Sequence, residues 1–347
     1  MSLPAGSLSG GVPAAIALTP ILSARYHAEH LALIREAAPG ARLVNVSLEG
    51  LADDADLEEV EVVLRGPMQA EVFDRLLVRC PRIRWVHSAT AGVERVLTPA
   101  ALERGLTITN ARGVFSRPIA EYVMMMILAV SRRLPQLLEL QRERTWQPLE
   151  AVEIRDVTVG IVGFGSIGQA VASLATAFGC RIVATRRGDG EGAEPAAPAE
   201  ASPIEARVDA MLRPDQLPEL LRQSDFVVLA LPLTSETEEL FDERMLSHMK
   251  RSAWLINVAR GRLVNERDLL RALRQNEIGG AVLDAFREEP LPPDSRLYGV
   301  PNVILTPHTA WSSGRVLNRS IELFCDNLRR FARGEPLRNV VDPSLGY

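Results

Sequence analysis

The stretch Val159-Gly160-Ile161-Val162-Gly163-Phe164-Gly165-Ser166-Ile167-Gly168 constrains this chain more than any other. It sets Gly163-x-Gly165-x-x-Gly168 directly after a β-branched run, Val157-Val162, and at the opening of a helical pattern. The glycines of such a turn meet three separate needs, namely a tight bend, close approach of a pyrophosphate, and close packing of helix on strand. Ser166 and Ile167 fall in the first helical turn, where unpaired N–H groups and a partial positive charge face phosphate oxygens. Strand, turn and helix together predict the first βα unit of a dinucleotide-binding sheet, which needs further parallel strands beside it.

The rest of the chain offers them. Short β-branched runs alternate with helical patterns from about Ala14 to Pro307, the mark of a parallel α/β fold. The first series predicts strands over Ala14-Leu18, Leu43-Val46, Val60-Leu64, Ile83-His87 and Leu106-Thr109. Its helices are expected over Tyr26-Ala37, Ala70-Val78 and Pro118-Arg133, with Met124 to Met126 as packing residues. The second series predicts strands over Val157-Val162, Arg181-Ala184, Phe226-Ala230, Trp254-Val258, Ala281-Leu283 and Val303-Leu305. Gly188 to Pro203 is rich in Gly, Ala, Pro and Glu and reads as a mobile surface loop. On a last helix from about Ser313, Leu317, Ile321, Phe324, Leu328 and Phe331 form one apolar stripe, whose expected partner is the first series.

Composition narrows the function classes. At 347 residues, 47% hydrophobic and 24% charged, the chain reads as two globular domains. A net charge of −5 argues against a nucleic-acid partner. Lys250 is the single lysine and lies in neither a phosphate loop nor a Schiff-base site, so anion binding falls to arginine. Cys80, Cys180 and Cys325 are far apart and read as buried thiols. His27, His30 and His248 lack ligand spacing, so no metal is expected, and His87 reads as a core or rim residue. No apolar run reaches the ~18 residues of a membrane span. Residues 1–12 read as a flexible leader without an apolar signal segment, and the expected compartment is cytoplasmic.

An NAD site usually carries Asp or Glu at the end of its second strand. Here that strand ends Val183-Ala184-Thr185-Arg186-Arg187, with no acid before Asp189. Two guanidiniums in that place pair a 2′-phosphate, which predicts NADP, with NAD possible. Three more motifs close predicted strands: Asn257-Val258-Ala259-Arg260-Gly261, Leu283-Asp284 through Glu289-Pro290, and Leu305-Thr306-Pro307-His308. The carboxyl ends of strands line the ligand crevice of an open parallel sheet. An Arg, a Glu and a His gathered there offer a cation for a carboxylate, a general acid, and a group to tune it.

In order and spacing these motifs resemble the D-isomer-specific 2-hydroxyacid dehydrogenase family, from about Leu43 to Arg330. The resemblance rests on Gly163 to Gly168, Leu231-Pro232-Leu233-Thr234 with Thr237, Asn257 to Gly261, Leu283 to Phe286 with Glu289-Pro290-Leu291, and Thr306-Pro307-His308. It implies reduction of a 2-keto acid to a D-2-hydroxy acid, or the reverse. Arg260, Glu289 and His308 would form the catalytic triad. Pro232, Thr237, Val258 and Asp284 would line the cofactor, the Ala91-Gly92 backbone would take the substrate carboxylate, and Arg65 would touch the substrate or lie on the surface. The implied fold is two doubly wound parallel-sheet domains, one Rossmann-like and one flavodoxin-like, with a cleft between them. Residues 13–117 and 310–347 would form the substrate domain, and 118–309 the dinucleotide-binding domain. A homodimer is implied through an extension near residues 120–150, which leaves Trp146 at a subunit contact, in a core or on the surface. Trp311 lines the pocket or packs at the start of the last helix.

Two departures stand out: Ala285 where the family often has Val, and the arginine pair in place of the usual acid. Formate- or phosphite-type dehydrogenation is a rival, but the formate enzymes carry Gln where this chain has Glu289. A nucleotide-sensing regulatory protein is the other rival, weakened by the lack of a Lys-rich or Ser/Pro-rich tail. The substrate's side chain is not readable, because such pockets discriminate by only about 1–3 kcal/mol.

Overall fold

The computed structural model describes residues 10–21, 26–50, 54–187 and 206–344. They fall into two compact units, 10–115 with 313–344, and 116–312. Most of the expected leader and all of the 188–203 loop lie outside the described residues. Gly11, within that leader, is tied down, its N–H donating to Ala332 O at 2.9 Å.

The first unit alternates strand and helix: β1 (Ala15–Leu18), α1 (Ala28–Ala37), β2 (Arg42–Asn45), α2 (Asp54–Leu57) and β3 (Val60–Arg65). It continues with α3 (Ala70–Arg79), β4 (Trp85–Ser88), α4 (Pro99–Glu103) and β5 (Thr107–Asn110). All pairings are parallel, in the order β2-β1-β3-β4-β5. Central strands such as β1, Ala-Ile-Ala-Leu, are buried throughout because both faces of the sheet are covered. The stripe on α11 (Val316–Arg333) supplies one cover, with Ile321, Phe324, Leu328 and Phe331 fully buried against Ile16, Leu18, Ile34 and Leu64. The Trp85 ring stacks on Phe324 and Phe331 at 5.4 and 5.5 Å. Its indole N–H donates to Thr109 Oγ1 at 2.9 Å, which also lies 2.8 Å from His87 Nδ1. Burial pulls the His87 pKa down to about 3, so it is a neutral core histidine, as expected.

The second unit begins with α5 (Ser116–Ser131) and α6 (Leu134–Arg142), then β6 (Thr158–Val162), α7 (Ser166–Ala177), β7 (Arg181–Thr185) and β8 (Ala210–Leu212). It continues through α8 (Leu217–Gln223), β9 (Phe226–Leu229), α9 (Glu243–Leu246) and β10 (Trp254–Asn257). The last elements are α10 (Glu266–Arg274), β11 (Gly280–Leu283) and β12 (Val303–Leu305). The parallel sheet runs β12-β11-β10-β9-β6-β7-β8. Strand order reverses between β6 and β9, the switch point at which open α/β sheets bind ligands beyond the carboxyl ends of their strands. The glycine turn, the Arg260 loop, the Glu289 loop and the His308 loop all leave such ends.

Two elements differ from the sequence expectation. β8 is a short edge strand with partly exposed residues, too brief for a periodic signal. The helix expected over Pro118-Arg133 is α5, and after Arg133, at φ 59, the chain forms α6, which no expectation covers. Of the three methionines, Met124 and Met126 are buried and Met125 is 52% exposed. Cys80, Cys180 and Cys325 are free and buried, and burial raises their pKa values to about 11, 11 and 12. Lys250 pairs with Asp225 at 2.7 Å, whose other oxygen accepts from Thr158 N at 2.9 Å. Among the described residues no helix is long and apolar enough to cross a membrane, and no His/Cys/Asp/Glu group could hold a metal.

Candidate active site

The glycine turn at the end of β6 shows three different requirements. Gly163 has φ +97, and a Cβ there would lie 2.8 Å from Ala230 O. A Cβ at Gly168 would lie 2.3 Å from Gly163 O, so α7 seats on β6 only without a side chain. Gly165 is the opposite case, with an ordinary φ of −84 and no atom within 4 Å of its ideal Cβ. Nothing in the chain itself requires glycine at 165. The open space there, in front of the first N–H groups of α7, fits a pyrophosphate from outside.

The far edge of this site is the end of β7. Thr185 binds the turn, its hydroxyl accepting from Gly163 N at 3.3 Å and its carbonyl from Phe164 N at 3.0 Å. Arg186 is half-buried and forms no ion pair with another described residue. Arg187 is exposed and pairs with Glu236, from the loop after β9. No pattern in the sequence points to that carboxylate. In the same loop the Thr237 hydroxyl takes Thr234 N–H at 2.8 Å and donates to Pro232 O at 2.8 Å, which shapes the turn. Val258 is buried just after β10.

The expected triad comes from three adjacent strand ends. Asn257, closing β10, donates from Nδ2 to Arg260 O at 2.9 Å and accepts Ala259 N–H at 3.1 Å, which folds the loop that carries Arg260. Gly261 lies directly on the next loop, where a Cβ would sit 1.9 Å from the Phe286 carbonyl carbon. Glu289 is fixed within that loop, one oxygen accepting Phe286 N–H at 2.9 Å. Its other oxygen is 2.8 Å from His308 Nδ1. Burial pushes the Glu289 carboxyl up. The hydrogen bonds from His308 and Phe286 and the charges of His308 and Arg260 outweigh it and hold the pKa below the ordinary carboxylate value. An ionised carboxylate only accepts, so Nδ1 carries the proton that faces it and Nε2 is left for another partner.

His308 itself has φ 49, an uncommon conformation for a residue with a side chain. Asp284 holds it there. This 1% exposed carboxylate accepts Thr306 O–H at 2.6 Å and Thr309 N–H at 2.8 Å on one oxygen, and Ala310 N–H at 2.9 Å on the other. Thr306 gives its proton to Asp284, so the Tyr122 hydroxyl, 2.6 Å away, donates to Thr306. Burial raises the Tyr122 pKa to about 12, which keeps it a donor. Asp284, expected on the cofactor, is thus seen anchoring both sides of His308. Neither Tyr122 nor the Thr306 hydroxyl stands out from sequence, although Thr306 lies inside the motif that marks His308.

In the first unit, Ala91 and Gly92 follow β4. The carbonyls of Thr90, Ala91 and Gly92 accept from Ala111 N (3.1 Å), Asn110 Nδ2 (2.9 Å) and Thr90 Oγ1 (2.8 Å). In a trans peptide N–H and C=O point in opposite directions. The Ala91 and Gly92 N–H groups, which donate to no other described residue, therefore face away from these anchors. Such paired amides suit a carboxylate. Arg65 departs from its expected place on the substrate. It is 2% exposed, donates to Gly66 O, Met68 O and Arg95 O at 3.2, 2.5 and 2.8 Å, and lies 4.9 Å over the Phe73 ring. Burial, then the neighbouring Arg95, lower its pKa to about 10. Arg65 braces two backbone segments, at 66–68 and at Arg95. Trp311 is half-buried, and Trp146 is fully exposed.

Known proteins share this layout. A family model described as D-isomer specific 2-hydroxyacid dehydrogenase, NAD binding domain, matches residues 124–310. The chain is 35% identical over 296 residues to a glyoxylate reductase of Korarchaeum cryptofilum, covering 84% of each chain. It is 36% identical over 299 residues to one of Thermococcus gammatolerans, again covering 84% of each. Among solved structures it is similar to a D-isomer specific 2-hydroxyacid dehydrogenase from Xanthobacter autotrophicus in complex with NADPH and MES. That match has 28% identity and a TM-score of 0.81, covering 98% of this chain and 100% of the other. An NADPH-dependent glyoxylate/hydroxypyruvate reductase of Sinorhizobium meliloti, in complex with NADP and sulfate, matches at 28% identity and a TM-score of 0.78, covering 96% and 100%. The sheet order, the glycine turn and these matches agree, and the chain belongs to the D-isomer specific 2-hydroxyacid dehydrogenase family.

Proposed function

We propose that this protein reduces a small 2-keto acid, of the glyoxylate or hydroxypyruvate class, to its D-2-hydroxy acid with NADPH preferred over NADH. The observation that carries the reading is the Glu289–His308 pair, with Nδ1 engaged and Nε2 free to give a proton. The chemistry supplied by the bound dinucleotide is a hydride for C2 of the keto acid. Arg260 draws the substrate carboxylate and the carbonyl oxygen to one guanidinium fork. The Ala91 and Gly92 amides take the carboxylate. His308 Nε2–H protonates the oxygen as negative charge develops on it, and Glu289 stabilises the imidazole ring that receives and returns the proton. Hydride and proton together convert C=O to CH–OH, and the reverse step uses the same groups.

The cofactor preference rests on the absence of an acid at the end of β7 and the presence of Arg186 and Arg187 there. Residues 118–309 serve as the dinucleotide domain, and 13–117 with 310–347 as the substrate domain. We place the enzyme in the cytoplasm, where thiols such as Cys80, Cys180 and Cys325 stay reduced. A homodimer is supported by an apolar surface on α5, α6 and the segment beyond. Met125, Leu134, Leu137, Leu138 and Trp146 are 40–101% exposed, and α6 buries none of its residues.

With glyoxylate or hydroxypyruvate, oxidation of NADPH is expected to exceed that of NADH, and faster NADH turnover would remove the assignment of Arg186 and Arg187. Arg260→Lys should lower kcat/KM by about 10²–10³-fold, since an ammonium lacks the fork; near-normal turnover contradicts the role given to Arg260. The Glu289 carboxyl is held below its ordinary value. Its stabilising contribution is therefore fully present above the unfolded carboxylate pKa and is lost as pH falls through the lower folded value. Denaturant titrations of the protein and of Glu289→Gln should diverge above that range and converge under acid, and a constant difference across pH would exclude the ion pair. Replacing Leu134 and Leu138 together by Asp should convert a dimer to a monomer in light scattering, and an unchanged mass would place the interface elsewhere.

A further inference from the structure

We propose that Asn339, acting through Asn110, sets the two amides that receive the substrate carboxylate, so that the segment after α11 is a positioning part of the substrate site. The inference rests on the proposed role of the Ala91 and Gly92 amides. After α11 the chain turns back and runs antiparallel to β5, bridging Thr109 and Val340, with Val341 N–H on Ile108 O at 2.9 Å. A buried asparagine on α11 steers this return. Asn327, fully buried, donates from Nδ2 to Arg338 O at 3.0 Å and accepts Arg338 N–H at 2.7 Å.

Asn339 comes next, at φ 56 and 7% exposed. Its carbonyl accepts Asn110 N–H at 3.1 Å, and its Nδ2 donates to Asn110 O at 3.2 Å and to Arg112 O at 2.8 Å. One residue therefore holds both backbone groups of Asn110. The Asn110 side chain, held by Arg112 N–H on Oδ1 at 3.2 Å, has one direction left for Nδ2, which is the Ala91 carbonyl at 2.9 Å. The adjacent Ala111 N–H takes the Thr90 carbonyl at 3.1 Å.

These two bonds orient two successive peptide planes, Thr90–Ala91 and Ala91–Gly92. Each plane carries a carbonyl on the Asn110 side and an N–H on the other. Without the Asn110 donor, the Ala91–Gly92 plane is free to rotate and set a carbonyl oxygen against the anion. Strand pairing alone does not need asparagine at 339. The Val341 bond and the Asn110 N–H bond use backbone, and glycine would accept the left-handed φ. What asparagine adds is the pair of Nδ2 donors.

The test uses the full chain with NADPH. Asn339→Gly accepts the left-handed φ and removes the side chain that carries those donors. We expect KM for glyoxylate to rise about tenfold, in line with one lost hydrogen bond, with kcat and the KM for NADPH close to those of the unaltered protein and the melting temperature lowered, since two buried hydrogen bonds are lost. The inhibition constant of oxalate should rise in parallel. Asn110→Ala, which loses the donor to Ala91 without adding a charge, should show the same split and serves if Asn339→Gly does not fold. An unchanged glyoxylate KM in an active enzyme overturns the positioning role and leaves the proposed function standing. A parallel fall of kcat and NADPH affinity overturns it in favour of a plain structural role. An unaltered protein that turns over no 2-keto acid overturns the proposed function, and this inference with it.

Discussion

The buried Asp284 carboxylate is the interaction on which the His308 loop of the second unit depends. It accepts a hydroxyl and two amides from residues on either side of His308, and so holds a residue with a bulky side chain at positive φ. That conformation costs energy and persists only where its surroundings over-determine it. The return is precise placement of an imidazole against Glu289. Tyr122 from α5 extends the same network by donating to Thr306, so a helix distant in sequence stiffens the loop after β12.

Close backbone approach is the second theme. Gly261 lets the Arg260 loop rest on Phe286, and Gly168 lets α7 rest on the turn at Gly163. In both places a methyl group would separate parts that the site needs together. Gly165 differs, because its freedom serves no contact within the chain and leaves room for a phosphate. At Ala91 and Gly92, polarity is set by anchoring carbonyls so that N–H groups face the other way, which presents positive charge without spending a titratable side chain.

Much of this was legible in sequence, for a physical reason. Buried parallel strands read as β-branched runs, and eleven strands could be placed within a few residues. The Gly163–Gly168 turn is local, since every requirement on it falls within a short stretch. Arg260, Glu289 and His308 could be named because each follows a strand in a recognisable motif. What escaped notice depends on partners far along the chain: Glu236 beside Arg187, Tyr122 under Thr306, Asn339 on Asn110. Arg65 was misread for the same reason, since its motif could not show that three carbonyls and a phenyl ring already surround it. α6 was missed because it buries none of its residues, so its apolar spacing does not follow a core-facing stripe.

By itself, then, the sequence determined the fold class, the dinucleotide turn and the candidate side chains Arg260, Glu289 and His308, because these follow from local periodicity and short spacings. Only the tertiary structure decided which groups are already engaged. Asp284 is occupied with the His308 loop and Arg65 with backbone carbonyls, Arg187 meets Glu236 at the surface, and the Ala91 and Gly92 amides donate to no other described residue. Hydrogen bonds join residues by distance in space, and no pattern along a chain encodes which donor reaches which acceptor until the sheets have formed.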